Sequence, residues 1–264
     1  MRIMTFNVRG DYDDGVNAWA GRSALNVATI LAHAPDVVGF QEAQGAHLEV
    51  YREGLAGYSV EPGPAYNNEE PYSYNVIAWR DETLEKVEAG GFWLSETPDE
   101  LGFGWDAACV RSANWVRFRG AGTVADAPTG VFCNTHLDHR GETARLEGAR
   151  LVAARLAELR RPGETVVVAG DFNCAPGSAP VGAFAEAGYV DLFETAGGAA
   201  PGDPASWTFH AFTGEPSAAH RRIDWIMMLA GAPAMRASRA VVIRDAEPPV
   251  YPSDHFPVVV DLEV

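Results

Sequence analysis

The stretch Thr165-Val166-Val167-Val168-Ala169-Gly170-Asp171-Phe172-Asn173 runs an apolar, β-branched segment straight into polar side chains. Thr165–Gly170 is short for a helix and rich in valine, whose branched side chain suits a pleated surface, so it reads as a buried strand. The far end of that strand delivers Asp171 and Asn173. The construction recurs along the chain. Arg2–Val8 carries Asn7, and Val37–Gln41 runs into Glu42. Gly130–Thr135 leads to His136 and Asp138, Ile223–Leu229 holds Asp224 near its start, and Val258–Leu262 is preceded by Asp254 and His255. One such ending is ordinarily a turn. Repeated at the ends of distant strands, it is how a chain assembles a single cleft rich in carboxylates and imidazoles on a rigid scaffold. Asp224 is the hardest to dismiss singly, because an Asp between Ile223 and Trp225 is costly to bury without a partner.

Around these segments the pattern predicts further strands at Asn75–Arg80, Leu84–Phe92, Asn114–Arg119 and Val241–Arg244. Helices are predicted over Trp19–His33, stopping before Pro35, and over Thr143–Arg160, with Leu146, Ala149, Val152, Ala153, Leu156 and Leu159 on one face. Many strands with few intervening helices imply two packed sheets with helices outside. Glu61–Tyr74 and Glu194–His220 read as irregular and functional. Neither is a linker, since strands that must pair lie on both sides, and a single domain over 1–264 is expected.

With 264 residues, 47% hydrophobic and 21% charged, the chain is long enough to bury roughly 70–75% of its unfolded surface. No apolar run approaches the roughly 18 residues of a membrane span, and Asn7 and Arg9 interrupt the start of the chain where a signal peptide would be apolar. Cys109, Cys133 and Cys174 are too few and too dispersed for a disulfide framework or a thiolate metal knuckle. The expectation is a soluble, cytoplasmic monomer without membrane contact. Acidic residues outnumber basic ones 36 to 20, for a net charge of −16, and Lys86 is the only lysine. Binding duplex DNA draws its free energy from arrayed cations, so no extended duplex surface is expected. A local basic pocket for phosphate remains compatible with the charge.

Thr5-Phe6-Asn7-Val8, Gln41-Glu42, Asn134-Thr135-His136-Leu137-Asp138, Gly170-Asp171-Phe172-Asn173, Arg222-Ile223-Asp224-Trp225-Ile226 and Ser253-Asp254-His255-Phe256-Pro257-Val258 occur in this order. Together they resemble the endonuclease/exonuclease/phosphatase superfamily, with its deoxyribonuclease I-like fold, over essentially the whole chain. The resemblance implies a four-layer α/β sandwich, two packed mixed β-sheets flanked by helices, and metal-dependent cleavage of phosphate esters. It fixes the reaction much better than the substrate.

Carried over motif by motif, the resemblance makes Glu42 the principal Mg²⁺ ligand, with Asn7 and Asp254 near the metal and Mn²⁺ able to substitute. Mg²⁺ keeps several waters and needs only one or two protein carboxylates. Asp171 would orient and deprotonate the attacking water, Asn173 would hold water or a phosphate oxygen, and His136 and the Asp224-paired His255 would donate to the phosphate. Arg9 stands where several nucleases of the family have an Asp, and no acidic residue in Arg111–Arg119 is available to pair with His136. Arg9, Arg111 and Arg117 are therefore candidates for binding an anionic group. Most aromatics of the irregular segments read as sheet cover; the segment Trp207–Phe212, just before the Asp224 strand, is read as substrate contact, above all through Trp207 and His210. The expected partner is a small or short phosphodiester or phosphomonoester, with single-stranded or short DNA or RNA as the alternative. A glycosidase also uses paired carboxylates, but gives no reason for Asn173 or the Asp224–His255 couple. A non-catalytic binding module on the same fold would be expected to have lost some of these groups.

Overall fold

The computed structural model describes residues 1–67, 69–125, 127, 129–231 and 235–263. Its elements run β1 (Arg2–Asn7), α1 (Trp19–His33), β2 (Val37–Gln44), α2 (Gly45–Gly54), β3 (Tyr58–Glu61), β4 (Ser73–Arg80), β5 (Leu84–Trp93), β6 (Ser112–Gly120), β7 (Thr129–His136), α3 (Glu142–Leu159), β8 (Thr165–Asp171), α4 (Ala179–Glu186), β9 (Tyr189–Asp191), α5 (Leu192–Thr195), β10 (Asp224–Leu229), β11 (Arg236–Val242) and β12 (Val258–Glu263). One six-stranded sheet has the order β11-β12-β1-β2-β4-β3 and the other β5-β6-β7-β8-β10-β9. Each is mixed, with one parallel pair, β1 with β2 and β7 with β8, among antiparallel neighbours.

Three apolar layers follow from the two-residue alternation of strands. Ile3, Val37, Ile77, Val116, Phe132, Val167, Ile226 and Val258 fill the space between the sheets. The other faces pack on helices, Met4, Phe6, Val38 and Phe40 beneath α1 and α2, and Cys133, Val166, Val168 and Trp225 beneath α3 and α4. The result is the expected sandwich of helix, sheet, sheet and helix.

Differences from expectation are local. Short elements α2, β3, α4, β9 and α5 add to those predicted, and β11 lies earlier than Val241–Arg244. The buried face of α1 carries polar side chains beside its apolar ones. Leu31 is exposed, whereas Trp19, Arg22, Asn26, Thr29 and Ile30 are buried. The reason is hydrogen bonding: Arg22 donates from Nε to the Asn17 carbonyl at 2.8 Å and from Nη1 to those of Val8 at 2.6 Å and Pro252 at 3.1 Å. Asn26 donates to the Pro252 carbonyl as well. α1 thereby clamps the loop after β1 to the loop before β12.

Where the sheets meet near the cleft, polar side chains replace apolar ones. Asn134 donates across to the carbonyls of Phe40 and Val76, and Gln41 donates to Asn134 Oδ1 at 2.7 Å. A Cβ on Gly39 would lie 2.8 Å from the Asn134 side chain, so glycine is what permits this approach.

Candidate active site

Register brings the polar strand ends together. Asn7 is paired with Gln41, the residue before Glu42; His136 is paired with Asp171 across β7 and β8; and Asp171 is paired with Asp224 across β8 and β10. The loop before β12 is tied in by Ser253 Oγ, which donates to the Asn7 carbonyl at 2.7 Å. At Gly170 φ is +147°, and a Cβ there would lie 1.8 Å from the Thr135 carbonyl oxygen, so the step into Asp171 requires glycine. Arg9, Glu42 and Asn173 also have positive φ, which for Glu42 is a strained conformation of the kind that concentrates at functional sites.

Asn7 Nδ2 bridges two carboxylates, donating to Glu42 Oε1 and Asp171 Oδ2 at 3.0 Å each. The other Glu42 oxygen accepts from the Gly10 N–H at 3.2 Å, and the other Asp171 oxygen from the Asn173 N–H at 2.8 Å. His255 Nδ1 donates to Asp224 Oδ2 at 3.0 Å, which turns Nε2 toward Asp171 Oδ2, 3.8 Å away. Asn173 Nδ2 donates to the Leu137 carbonyl at 3.0 Å and to His136 Nε2 at 2.9 Å. The carbonyl fixes which end of the Asn173 amide carries the hydrogens, so His136 Nε2 accepts and its proton resides on Nδ1.

Charge is distributed unevenly. Burial and the neighbouring Asp224 push the Asp171 carboxyl up to about 7, despite His255. Burial also raises the Asp254 carboxyl, as does Glu42, while His255 opposes them. Burial likewise disfavours the Glu42 carboxylate, but bonds from Asn7 and Gly10 and the nearby Arg9 outweigh it and hold its pKa below the ordinary value. For His255 burial works against the cation, yet Asp224 and Asp171 lift it to about 10. His136 goes the other way, driven well below its ordinary pKa by burial, Arg111 and His255. The structure therefore provides one cationic imidazole and one neutral one.

Glu42, Asp171 and Asp254 surround a cleft of about 410 Å³ also lined by Arg9, Tyr66, Arg111, His136, His139, Asn173, Phe209 and His255. Carboxylates gathered this closely, two of them with raised pKa, leave a deficit of positive charge. Their oxygen donors are of the hard kind that suits a divalent cation retaining waters. Asp171, Asp224 and His255 also lie close enough to form a metal-binding group. The hydrogen bond between His255 Nδ1 and Asp224 commits that pair to each other, with Asp171 facing the ring at ion-pair distance, and leaves Glu42 as the more open ligand.

Asn7, Glu42, His136, Asp171, Asn173, Asp224, Asp254 and His255 thus converge, and Arg111 lines the same cleft. Trp207 and His210 do not. The Trp207 indole N–H donates to the Pro201 carbonyl, while His210 stacks on Phe256 with ring centroids 4.0 Å apart and accepts from the Gly214 N–H. Phe209 reaches the cleft from that segment, with its ring edge-on to His255 at 5.0 Å. Arg117 is also elsewhere: buried, it pairs with Glu164 at 2.8 Å and with Glu88. Sequence reasoning missed the positioning parts played by Arg22, Ser253 and Gln41, whose partners are largely backbone or amide groups. It also passed over Tyr12, which the cleft includes.

Three comparisons bear on this site. No curated protein matches the chain. Among solved structures, a mannosyl-6-phosphatase from Bacteroides thetaiotaomicron is 29% identical, with a TM-score of 0.86 and all of both chains covered. An endonuclease/exonuclease/phosphatase from Bacteroides vulgatus is 31% identical, with a TM-score of 0.86, covering 100% of this chain and 98% of that one. The TDP2 of D. rerio complexed with single-strand DNA product is 17% identical, with a TM-score of 0.76 and coverage of 100% and 99%, and shows the shared fold alone. A family model described as the Endonuclease/Exonuclease/phosphatase family matches residues 4–255. With the strand-end cleft and the two mixed sheets, that match places the chain in the Endonuclease/Exonuclease/phosphatase family, as a hydrolase of phosphoesters.

Proposed function

We propose that the chain is a divalent-metal-dependent phosphoesterase that hydrolyses a small phosphomonoester or phosphodiester by in-line attack of water. The observation that carries this reading is the Asn7 amide bridging Glu42 and Asp171, with the Asp224-paired His255 facing the same carboxylate. Glu42 would hold Mg²⁺ or Mn²⁺, with Asn7 and Asp254 beside it. Such a cation, when bound, supplies the charge that lets a phosphate approach this acidic cleft and polarises its oxygens.

Asp171, with a carboxyl raised to about 7, is poised to take a proton from water near neutral pH. Its orientation is fixed from both sides, by Asn7 at one oxygen and by the Asn173 N–H at the other. His255 Nε2–H would donate to a phosphate oxygen as negative charge gathers there, with Asp224 keeping the ring charged. Similarity to a mannosyl-6-phosphatase over the full length favours a small hydroxylated substrate. Phe209 in the cleft favours, as a second reading, a short single strand whose base stacks there.

The test is hydrolysis of p-nitrophenyl phosphate, bis-(p-nitrophenyl) phosphate, phosphorylated sugars, and short RNA and DNA with Mg²⁺, Mn²⁺ or EDTA. Turnover abolished by EDTA and restored by Mg²⁺ or Mn²⁺ is expected, and turnover indifferent to EDTA would overturn the mechanism. Asp171→Asn and His255→Ala should each lower turnover by about 10²–10⁴-fold.

A further inference from the structure

The same cleft also carries a wall with chemistry opposite to that of the carboxylates. It is built from the segment before β6, ending in Arg111, and the segment after β7, around Asp138 and His139. Asp138 is 2% exposed, and both of its oxygens are fully used. Oδ1 accepts from the N–H groups of Arg140 at 2.9 Å and Gly141 at 2.7 Å, and Oδ2 from those of Ala108 and Cys109 at 3.1 Å each. Cys109, Asp138 and His139 lie close enough to suggest a metal group. With Asp138 saturated and the Arg111 guanidinium beside it, a cation is not what this wall awaits.

Arg111 is 7% exposed, with Nε 3.7 Å from Asp138 Oδ2. Among the described residues its one hydrogen bond runs from Nη2 to His139 Nδ1 at 3.2 Å. A guanidinium only donates, so His139 Nδ1 accepts and the ring's proton is held at Nε2. Arg111 Nε has no acceptor, and neither does the buried hydroxyl of Tyr66, which lines the same cleft. Buried donors left without acceptors are rare, because each costs free energy unless a ligand or water supplies the missing oxygen. The missing partner is a group rich in acceptors.

We infer that the Arg111, His139 and Tyr66 wall receives the terminal oxygens of a doubly charged phosphomonoester and selects it over a diester, with Asp138 as the positioning residue that holds the wall together. This rests on the proposed phosphoesterase reading and narrows its substrate class. A monoester near neutral pH carries a second negative charge, and one more unsubstituted oxygen, than a diester. The carboxylate side of the cleft repels that charge, whereas Arg111 and the His139 Nε2–H meet it with donors. A diester places an alkyl or aryl group on the corresponding oxygen and leaves the donors unsatisfied.

The test compares kcat/KM for p-nitrophenyl phosphate and methyl p-nitrophenyl phosphate, with Mn²⁺, in the wild type, Arg111→Met, Arg111→Lys and the exposed His139→Gln. The wild type should prefer the monoester. Arg111→Met should lower its kcat/KM by about 100-fold and that of the diester by far less, with Arg111→Lys partly restoring the preference. His139→Gln, at a site where folding is not at risk, should shift the ratio about tenfold. Asp138→Asn should raise KM for the monoester more than it lowers kcat. A wild type that prefers the diester, or variants in which both substrates fall together, would overturn the inference. If the wild type hydrolyses neither these esters nor any phosphorylated sugar, short RNA or short DNA, the proposed phosphoesterase reading fails. Inorganic phosphate binding with Mn²⁺, read by thermal stabilisation, then decides the wall separately: loss of binding in Arg111→Met supports it, and no binding to the wild type, or undiminished binding to the variant, overturns it.

Discussion

Asp224→Asn removes one charge and almost no volume. In the native protein Asp224 is 1% exposed and its Oδ2 accepts from His255 Nδ1 at 3.0 Å. That carboxylate is the main reason His255 stands at about 10 against an ordinary 6.5, a difference equivalent to about 5 kcal/mol in favour of the charged ring. An Asn at this position still accepts from Nδ1, so the tautomer is kept, but only Asp171 and Asp254 then oppose burial and the preference for the charged ring falls sharply. The sign of the stability effect follows. A histidine whose folded pKa is raised contributes stability that is complete below about pH 6.5 and is lost as the pH climbs through about 10. The wild type should lose at most about 4 kcal/mol on this account between pH 7 and 10, at about 1.4 kcal/mol per pH unit. Asp224→Asn should lose most of that slope. Urea unfolding of both proteins at matched pH values in EDTA isolates the term, since tyrosines and cysteines titrate alike in each. Turnover at pH 7 should fall about 10³-fold as the cationic donor is depleted. Parallel stability curves for the two proteins, or a wild-type His255 resonance titrating near 6.5, would refute this reasoning.

Other outcomes follow from the same geometry. Because the Asp171 carboxyl is raised to about 7 by burial and Asp224, the metal-free protein should release a proton on taking up Mn²⁺, with affinity rising up to about pH 7 and level above it; calorimetry in buffers of different ionisation enthalpy measures this. Glu42→Gln should weaken Mn²⁺ binding by about 100-fold in the same titration while leaving far-ultraviolet circular dichroism unchanged. Arg22→Met strands the carbonyls of Val8 and Asn17, leaves that of Pro252 with Asn26 alone, and should cost about 3 kcal/mol, seen as a melting temperature lower by about 6–12 °C. Gly170→Ala forces a Cβ onto the Thr135 carbonyl at a positive φ and should destabilise by about 3 kcal/mol or more, with turnover lost alongside in a stability-matched assay.

What the sequence disclosed, and what it withheld, divides along one physical line. Glu42, Asp171, Asp224 and His255 were legible because each interrupts an apolar strand or stands at its end, where a carboxylate or imidazole conflicts with burial unless chemistry needs it. Residues whose meaning depends on direction were not. In the segment before β10, side chains alternate, so Thr208 and His210 turn inward and only Phe209 meets the cleft; the aromatic character of Trp207 and the imidazole of His210 carry no mark of which way they face. Arg111 and Arg117 look equivalent as letters, yet six residues of strand separate them by about 20 Å, which sends Arg117 to Glu164 at the far end of the sheet and leaves Arg111 at the cleft. Arg22 is the extreme case. Its partners are backbone carbonyls, which every residue carries, so no pairing of letters could disclose the clamp between the loops after β1 and before β12. That clamp sets the spacing of Asn7 and Asp254, and hence the shape of the cleft that the legible residues occupy. A sequence can therefore name the reacting groups of this hydrolase while concealing the groups that hold them in place, because the former are chosen for chemistry and the latter for geometry alone.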